Sequence, residues 1–215
     1  MSRIGLSLQK SLFFSLLLAF CTVMWPHGRT LFTEPLTAFC LIAAVWCVLQ
    51  SASCASVWIF LTGCFWAYAF LTRLDTLFTF PAALWLLFVV VENDKLRFRF
   101  SLKRFVYFSI PFVLVLAFIL FWNYYRFESF FSTGYEDQPE KIHFITPLFV
   151  GLHGFLLSPG RSLFIYSPPL IFALLGGWTL WKRDKWLCVF LLLISASYLA
   201  SMSKWQNWAG GYDWG

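Results

Sequence analysis

The stretch FVYFSIPFVLVLAFILFWN, from Phe105 to Asn123, carries no charged residue and decides the class of fold. Its length of 19 residues lies within the roughly 17–25 residues that a helix needs to cross the hydrocarbon core of a bilayer. A backbone in lipid must pair its polar groups internally, which makes a helix the default structure. The stretch therefore predicts a transmembrane α-helix.

Similar apolar runs recur along the whole chain and are separated by short polar segments. No segment alternates between apolar and polar residues with the period of a strand. The sequence therefore predicts an all-α, polytopic transmembrane helical bundle that forms a single domain over residues 1–215. The predicted spans number about seven and cover residues 6–25, 35–50, 57–72, 76–92, 105–123, 167–181 and 186–203.

The composition excludes an ordinary soluble domain. Hydrophobic residues make up 60% of the chain and charged residues only 12%, whereas soluble domains carry about 25% charged residues. The net charge of +6 comes from residues between the apolar runs, which indicates membrane topology and no nucleic-acid partner. The six cysteines include no C-x-x-C pair, so neither a metal site nor a disulfide framework is predicted.

The basic residues orient the predicted spans. Alternating spans place ten of the 16 Lys and Arg residues on one face, and the positive-inside rule assigns that face to the cytoplasm. The first run ends in Met24-Trp25-Pro26-His27 and not in a small-residue cleavage site, so we interpret it as a retained helix. The prediction is a multi-pass protein of the plasma (inner) membrane with a cytoplasmic N-terminus. The ten are Arg3, Lys10, Lys95, Arg97, Arg99, Lys103, Arg104, Lys182, Arg183 and Lys185.

The opposite, outer face is acidic and aromatic. It carries the longest polar loop, from Asn123 to about Pro147, followed by the apolar segment Phe149 to Leu157, which is too short to span. We expect this segment to form a short interfacial helix. The loop's Glu136, Asp137, Glu140 and His143 are interpreted as a solvated face, with a metal or acid–base site as the alternative.

Two short segments place ionisable side chains at the outer boundary of the predicted bilayer. The first, Trp25 to Pro35, carries His27, Arg29 and Glu34. A carboxyl beside a hydrocarbon core is costly to ionise, which suits a general base or a substrate contact. The alternative is a helix cap, because an acid is favoured at a helix N-terminus.

The second boundary segment is Thr72-Arg73-Leu74-Asp75, between the third and fourth predicted spans. Arg73 and Asp75 are two residues apart, so they would meet in a tight turn but not on a helix. Two interpretations are open. The pair is either a membrane-boundary ion pair, or Arg73 binds an anion such as a lipid phosphate.

Two later segments complete the set of candidates. Ser158-Pro159-Gly160-Arg161-Ser162 offers a cation and several backbone donors in a turn, as a phosphate cradle would. The final segment contains Trp208, Tyr212 and Asp213, and aromatic rings with nearby polar groups suit a sugar. An aromatic belt at the membrane boundary is the alternative for the Trp residues.

At these segments the chain resembles bacterial and archaeal membrane glycosyltransferases of the C-type fold, a group that includes protein-O-mannosyltransferases and lipid A aminoarabinose transferase. The resemblance extends in order from residue 25 to the end, and its most specific block runs from Ser158 to Pro169. The matching pieces are Trp25-Pro26-x-x-Arg29-Thr30-Leu31-Phe32-x-Glu34-Pro35, Leu71-Thr72-Arg73-x-Asp75 with Pro81-Ala82, Gly151-x-x-Gly154-x-x-x-Ser158-Pro159-Gly160-Arg161-Ser162-Leu163-Phe164-x-Tyr166-Ser167-Pro168-Pro169, and Trp208-x-Gly210-Gly211.

The resemblance implies an enzyme that transfers a sugar from a polyprenyl-phosphate donor to a cell-envelope acceptor on the outer face, without a cofactor. It implies that Glu34 lines the pocket as the candidate catalytic carboxylate and that Arg73 and Arg161 contact the phosphate. It also implies that His27, Arg29, Asp75 and the loop with Trp208, Tyr212 and Asp213 contribute to substrate binding. Membrane lipid and the lipid-linked sugar are then the expected partners.

The resemblance covers a middle portion of the family pattern. Family members usually begin with a helix and a large outer loop that bears the principal acid, and they continue beyond the Gly-Gly segment. We therefore expect the chain to be a piece of a longer protein. Two other functions stay open: a transporter or flippase of lipid-linked intermediates, and a non-catalytic membrane assembly subunit.

Overall fold

The computed structural model describes residues 7–28, 33–50, 55–92, 95–132 and 144–206. The fold is all-α, apart from one short β-hairpin. The helices are α1 (Leu8–Phe20), α2 (Met24–His27), α3 (Glu34–Gln50), α4 (Ala55–Thr72), α5 (Phe80–Phe88), α6 (Leu102–Phe127), α7 (Leu148–Leu157), α8 (Leu163–Tyr166), α9 (Ile171–Arg183) and α10 (Lys185–Lys204). Two 3₁₀ helices cover Leu74–Thr79 and Pro168–Leu170, and the hairpin strands are β1 (Val89–Glu92) and β2 (Lys95–Phe98).

Within the described ranges, two helices are long and apolar enough to cross a membrane, α6 with 26 residues and α10 with 20. Both leave most of their apolar side chains outside the core, which is unlike the central helix of a soluble protein. In α6 only Phe108 and Pro111 are buried. These features indicate membrane association. The prediction of about seven spans is not supported, because only α6 and α10 are apolar helices with at least 18 described residues and sufficient hydropathy, and the other apolar helices have 10–17.

The fourth predicted span, 76–92, is not one helix. It begins in the 3₁₀ helix Leu74–Thr79, continues as α5 and ends in strand β1. The β-branched run Val89-Val90-Val91 favours extended backbone, and it pairs antiparallel with β2 in a register that places Val90 opposite Arg97.

The sixth predicted span, 167–181, is interrupted in a similar way. A 3₁₀ helix at Pro168–Leu170 precedes α9. Proline lacks the backbone N–H that an α-helix interior needs, so the Pro168-Pro169 pair delays the start of the regular helix to Ile171. A short helix is present where one was expected, over 149–157, as α7; its interfacial position stays a prediction.

Helix α4 lies at the centre of the bundle, packed against α3 on one side and α6 on the other. Its Trp66 ring meets Phe108 of α6 and Phe190 of α10 edge to face, at centroid distances of 5.9 and 6.2 Å. Gly63 permits the close approach of α6, because a Cβ there would lie 2.5 Å from the carbonyl oxygen of Phe108. The core therefore combines large aromatic rings with a backbone-to-backbone contact.

Tryptophan hydrogen bonds tie the basic segments to one end of the bundle. The Trp186 indole of α10 donates to the Val89 carbonyl at 2.8 Å, and the Trp85 indole of α5 donates to the Trp186 carbonyl at 3.2 Å. These bonds bring the start of α10, and with it residues 182–185, beside the hairpin and residues 95–104. From there α10 runs to the other end of the bundle, where Tyr198 meets Asp75.

We predict that Gly63→Ala destabilises the bundle and that Gly176→Ala does not. The new methyl of the first variant must displace α6 backbone, and such overpacking costs about 1–3 kcal/mol. Gly176 lies in α9 with no atom within 4 Å of an added Cβ, so its variant is the matched control. Thermal unfolding of both variants in detergent measures the difference, and equal melting temperatures would contradict the close α4–α6 contact.

Candidate functional site

Arg73 and Asp75 form a forked ion pair in the turn after α4. Arg73 Nη2 lies 2.8 Å from Asp75 Oδ2, and Nε lies 3.2 and 3.1 Å from the two carboxylate oxygens. Arg73 has extended backbone (φ −148°, ψ 116°) between α4 and the 3₁₀ helix. This kink lets two side chains only two positions apart face each other, as the sequence predicted for a tight turn.

Glu34 reaches the same guanidinium from the first turn of α3. Its Oε1 atom accepts a hydrogen bond from Arg73 Nη1, and the pair joins residues 39 positions apart in the sequence. The other oxygen, Oε2, is buried and has no hydrogen-bond partner among the described residues. One carboxylate oxygen of Glu34 is therefore held in place while the other has an unused acceptor.

Tyr198 of α10 completes the cluster. Its hydroxyl donates to Asp75 Oδ2 at 2.9 Å. Sequence reasoning missed this residue, although one signal was available: a phenol hydroxyl within an apolar run must find a partner when it is buried. We call Glu34, Arg73, Asp75 and Tyr198 the carboxylate cluster.

Threonines hold the segments that carry the carboxylate cluster. The hydroxyls of Thr37 in α3 and Thr72 in α4 lie 3.0 Å apart, one turn beyond Glu34 and next to Arg73. The Thr76 hydroxyl donates to the Arg73 carbonyl at 2.8 Å, and the buried Thr79 hydroxyl accepts from the Trp66 indole, also at 2.8 Å. The backbone around Arg73 is thereby tied to the core.

The carboxylate cluster carries one positive and two negative side chains and thus a formal charge of −1. Burial acts to lower the pKa of Arg73, but the hydrogen bonds and negative charge of Asp75 outweigh it and raise that pKa above its ordinary value. The guanidinium consequently stays protonated. A net-negative cluster of this kind favours hydroxyl donors and cations over a bare phosphate.

His27 and Arg161 lie on other elements. His27 ends α2, and its Nδ1 lies 2.9 Å from the Val23 carbonyl oxygen. Arg161 is half-buried in the turn between α7 and α8. Within the described part of the chain, neither residue forms an ion pair with the carboxylate cluster, so their predicted roles in substrate binding stay predictions.

The turn around Arg161 uses most of its backbone donors internally. The N–H groups of Arg161 and Ser162 donate to the Ser158 carbonyl at 3.2 and 2.9 Å, and Ser158 N–H donates to His153. Pro159 has no N–H, which leaves the N–H of Gly160. The several free donors expected of a phosphate cradle are therefore absent from this turn, and the remaining candidate contact is the Arg161 side chain.

Two serines of the segment from Ser158 to Pro169 have structural contacts. Buried Ser162 donates to the Leu156 carbonyl at 2.8 Å and caps α8. Buried Ser167 accepts a hydrogen bond from the Val23 N–H at 3.2 Å, which joins the Trp25-Pro26 segment to the Ser167-Pro168-Pro169 segment.

Several predicted residues fall on parts of the chain that are not described. Arg29, Trp208, Tyr212 and Asp213 lie outside the described residues, as do Glu136, Asp137, Glu140 and His143 of the long loop. Over the described ranges, no three His, Cys, Asp or Glu side chains are placed to hold a metal ion together.

No family model, curated protein or solved structure matches this chain.

We predict that Arg73→Gln destabilises the protein because it leaves two carboxylates side by side without their cation. The cost should reach about 1–3 kcal/mol, below that of a fully buried pair, since the Arg73 side chain is 27% exposed. Thermal unfolding in detergent measures it. Arg97→Gln is the control, because the exposed Glu92–Arg97 pair should contribute at most about 1 kcal/mol; equal losses would argue against the carboxylate cluster as an anchor.

Proposed function

We propose that the protein is a multi-pass membrane glycosyltransferase that transfers a sugar from a polyprenyl-phosphate donor to a cell-envelope acceptor on the outer face of the inner membrane. The observation that carries the proposal is the state of Glu34, with one oxygen held by Arg73 and the other buried without a partner among the described residues. A positioned carboxylate with a free acceptor is what a general base needs.

The proposed reaction is a single displacement at the anomeric carbon of the sugar. The acceptor hydroxyl gives its proton to the Glu34 carboxylate, whose side chain is 45% exposed, while the hydroxyl oxygen forms a bond to the anomeric carbon of the sugar. The bond from that carbon to the phosphate oxygen breaks, and polyprenyl phosphate leaves with the electron pair. Attack from the side opposite the leaving group inverts the anomeric centre.

Under this proposal Arg73 acts chiefly on Glu34. Its Nε, Nη1 and Nη2 atoms all donate to carboxylates of the cluster, although a guanidinium has five N–H donors and keeps two for other contacts. Arg161, in the turn between α7 and α8, is then the proposed cation for the departing phosphate. Charge on that phosphate is stabilised by a cation placed where the charge develops.

The proposed membrane arrangement uses α6 and α10 as full spans and places the shorter apolar helices beside them in the bilayer. Support comes from the side chains of these helices, since α1 buries no residue and α3 exposes the large apolar side chains of Phe39, Ile42 and Trp46. The basic residues at the hairpin end favour that end as cytoplasmic.

A topology reporter tests the orientation. A reporter fused after Lys95, in the basic hairpin, should report a cytoplasmic location in bacterial cells, because positively charged segments stay on that side. An external signal at this position would place the carboxylate cluster in the cytoplasm and contradict the proposed outer-face reaction.

Glu34→Gln tests the catalytic proposal. Gln keeps an oxygen that can accept from Arg73 but cannot take the acceptor proton, so transfer of labelled sugar from a polyprenyl-phosphate donor should fall about 100-fold or more. The assay uses membranes that contain the complete protein, with its unfolding temperature measured in parallel. Glu92→Gln, the same change at the opposite end of the bundle, is the control and should leave transfer unchanged.

A non-catalytic assembly subunit is the second candidate, and one observation favours it. All three nitrogens of Arg73 are engaged by its own neighbours, as in an ion pair with only a structural role. If Glu34→Gln left sugar transfer intact, or if the complete protein transferred no sugar while it retained its membrane partners, this second function would replace the first.

A further inference from the structure

A second polar site lies at the hairpin end of the bundle, far along the chain from the carboxylate cluster. A cavity of about 330 Å³ opens where the hairpin meets the start of α6. Small-molecule sites typically have volumes of about 300–1,000 Å³, so this cavity is large enough for a polar headgroup. Its lining residues are Val90, Val91, Glu92, Arg99, Ser101 and Arg104.

The two arginines of the cavity have no acidic partner within the described ranges, where the ion pairs are those of Arg73 and Arg97. Glu92, the one acid in the lining, lies 3.4 Å from Arg97 on the facing strand. The Arg99 backbone is fixed, since its N–H donates to the Phe88 carbonyl at 2.7 Å. Within the described ranges, the cavity therefore presents two guanidinium groups, those of Arg99 and Arg104, that form no ion pair.

The start of α6 adds to this positive character. Ser101 caps the helix, with its hydroxyl accepting from the Arg104 N–H at 3.5 Å. The first N–H groups of an α-helix have no partner within the helix, and its dipole attracts anions to this end. Two guanidinium groups beside such a helix start suit the negative charge of a phosphate, which Arg can bind through two hydrogen bonds.

The surface around the cavity is apolar. Phe98 and Leu102 are 78% and 66% exposed, and Phe100 and Val106 are also exposed. These side chains lead from the cavity onto the apolar flank of α6. A free phosphate ion would leave this surface uncovered, whereas the acyl chains of a phospholipid would cover it.

We propose that this cavity binds the phosphodiester headgroup of an acidic phospholipid, with Arg99 and Arg104 on the phosphate and the acyl chains along α6. The inference rests on the proposed membrane insertion of α6 and does not depend on sugar transfer. Basic pockets beside membrane helices are suited to such headgroups.

The test compares two double variants of the complete protein in detergent. Native mass spectrometry measures the binding of phosphatidylglycerol, with phosphatidylcholine, whose headgroup is zwitterionic and has no net charge, as the reference. Arg99→Gln with Arg104→Gln should weaken phosphatidylglycerol binding by roughly tenfold or more. Lys95→Gln with Lys103→Gln also removes two positive charges from this end of the bundle, but from positions outside the cavity lining, and it leaves the Glu92–Arg97 pair intact. This variant should have a much smaller effect.

Three other outcomes would contradict the proposal. Equal losses in the two double variants would indicate general surface charge, and equal binding of the two lipids would exclude recognition of the acidic headgroup. Competition by inorganic phosphate at the affinity of the lipid would identify a free-phosphate site. The single variants Arg99→Gln and Arg104→Gln, with unfolding temperatures measured, keep the test valid if a double variant folds poorly.

A parallel assay separates this proposal from the proposed function. The Arg99→Gln, Arg104→Gln variant should retain sugar transfer in membranes while it loses phosphatidylglycerol binding. Glu34→Gln should show the opposite pattern.

Discussion

The guanidinium of Arg73 joins three segments that are distant in the sequence. It binds Glu34 at the start of α3 and Asp75 before α5, and Asp75 in turn accepts from Tyr198 in α10. Charges near an apolar medium are tolerated only when they are paired and hydrogen-bonded. This requirement constrains how α3, the turn after α4 and α10 are placed relative to one another, since a shift of any one of them would leave a charge unpaired.

Packing between helices depends on small residues as well as on this cluster. In a membrane, helices gain little from the hydrophobic effect when they associate, so close backbone contacts and polar bonds between helices become important. Gly63 contacts the backbone of Phe108, and Gly151 of α7 contacts that of Ser203 in α10. At the hairpin end of the bundle, the indoles of Trp85 and Trp186 donate hydrogen bonds to the carbonyls of Trp186 and Val89.

Hydropathy predicted α3 and α10 to within one or two residues, because a continuous apolar run and a helix end coincide there. It failed at Val89-Val90-Val91 and at Pro168-Pro169, where local backbone preference outweighs apolar composition. Glu34, Arg73 and Asp75 were predictable as charges at the ends of apolar runs. The contact of Tyr198 with Asp75 and the arginine cavity were not predictable. The first depends on residues 123 positions apart, and the second depends on the pairing of β1 with β2, which brings the side chains of Glu92 and Arg97 together diagonally across the two strands.

The charge of the carboxylate cluster determines which part of an amphipathic substrate could approach it. The carboxylate cluster is net negative, so it suits a neutral, hydroxyl-bearing group and repels a phosphate. Under the proposed function the acceptor hydroxyl would therefore meet Glu34, while the donor phosphate would have to lie nearer Arg161, on a different element. Inversion requires the nucleophile and the leaving group on opposite sides of the anomeric carbon, and separate acidic and basic contacts would enforce that arrangement.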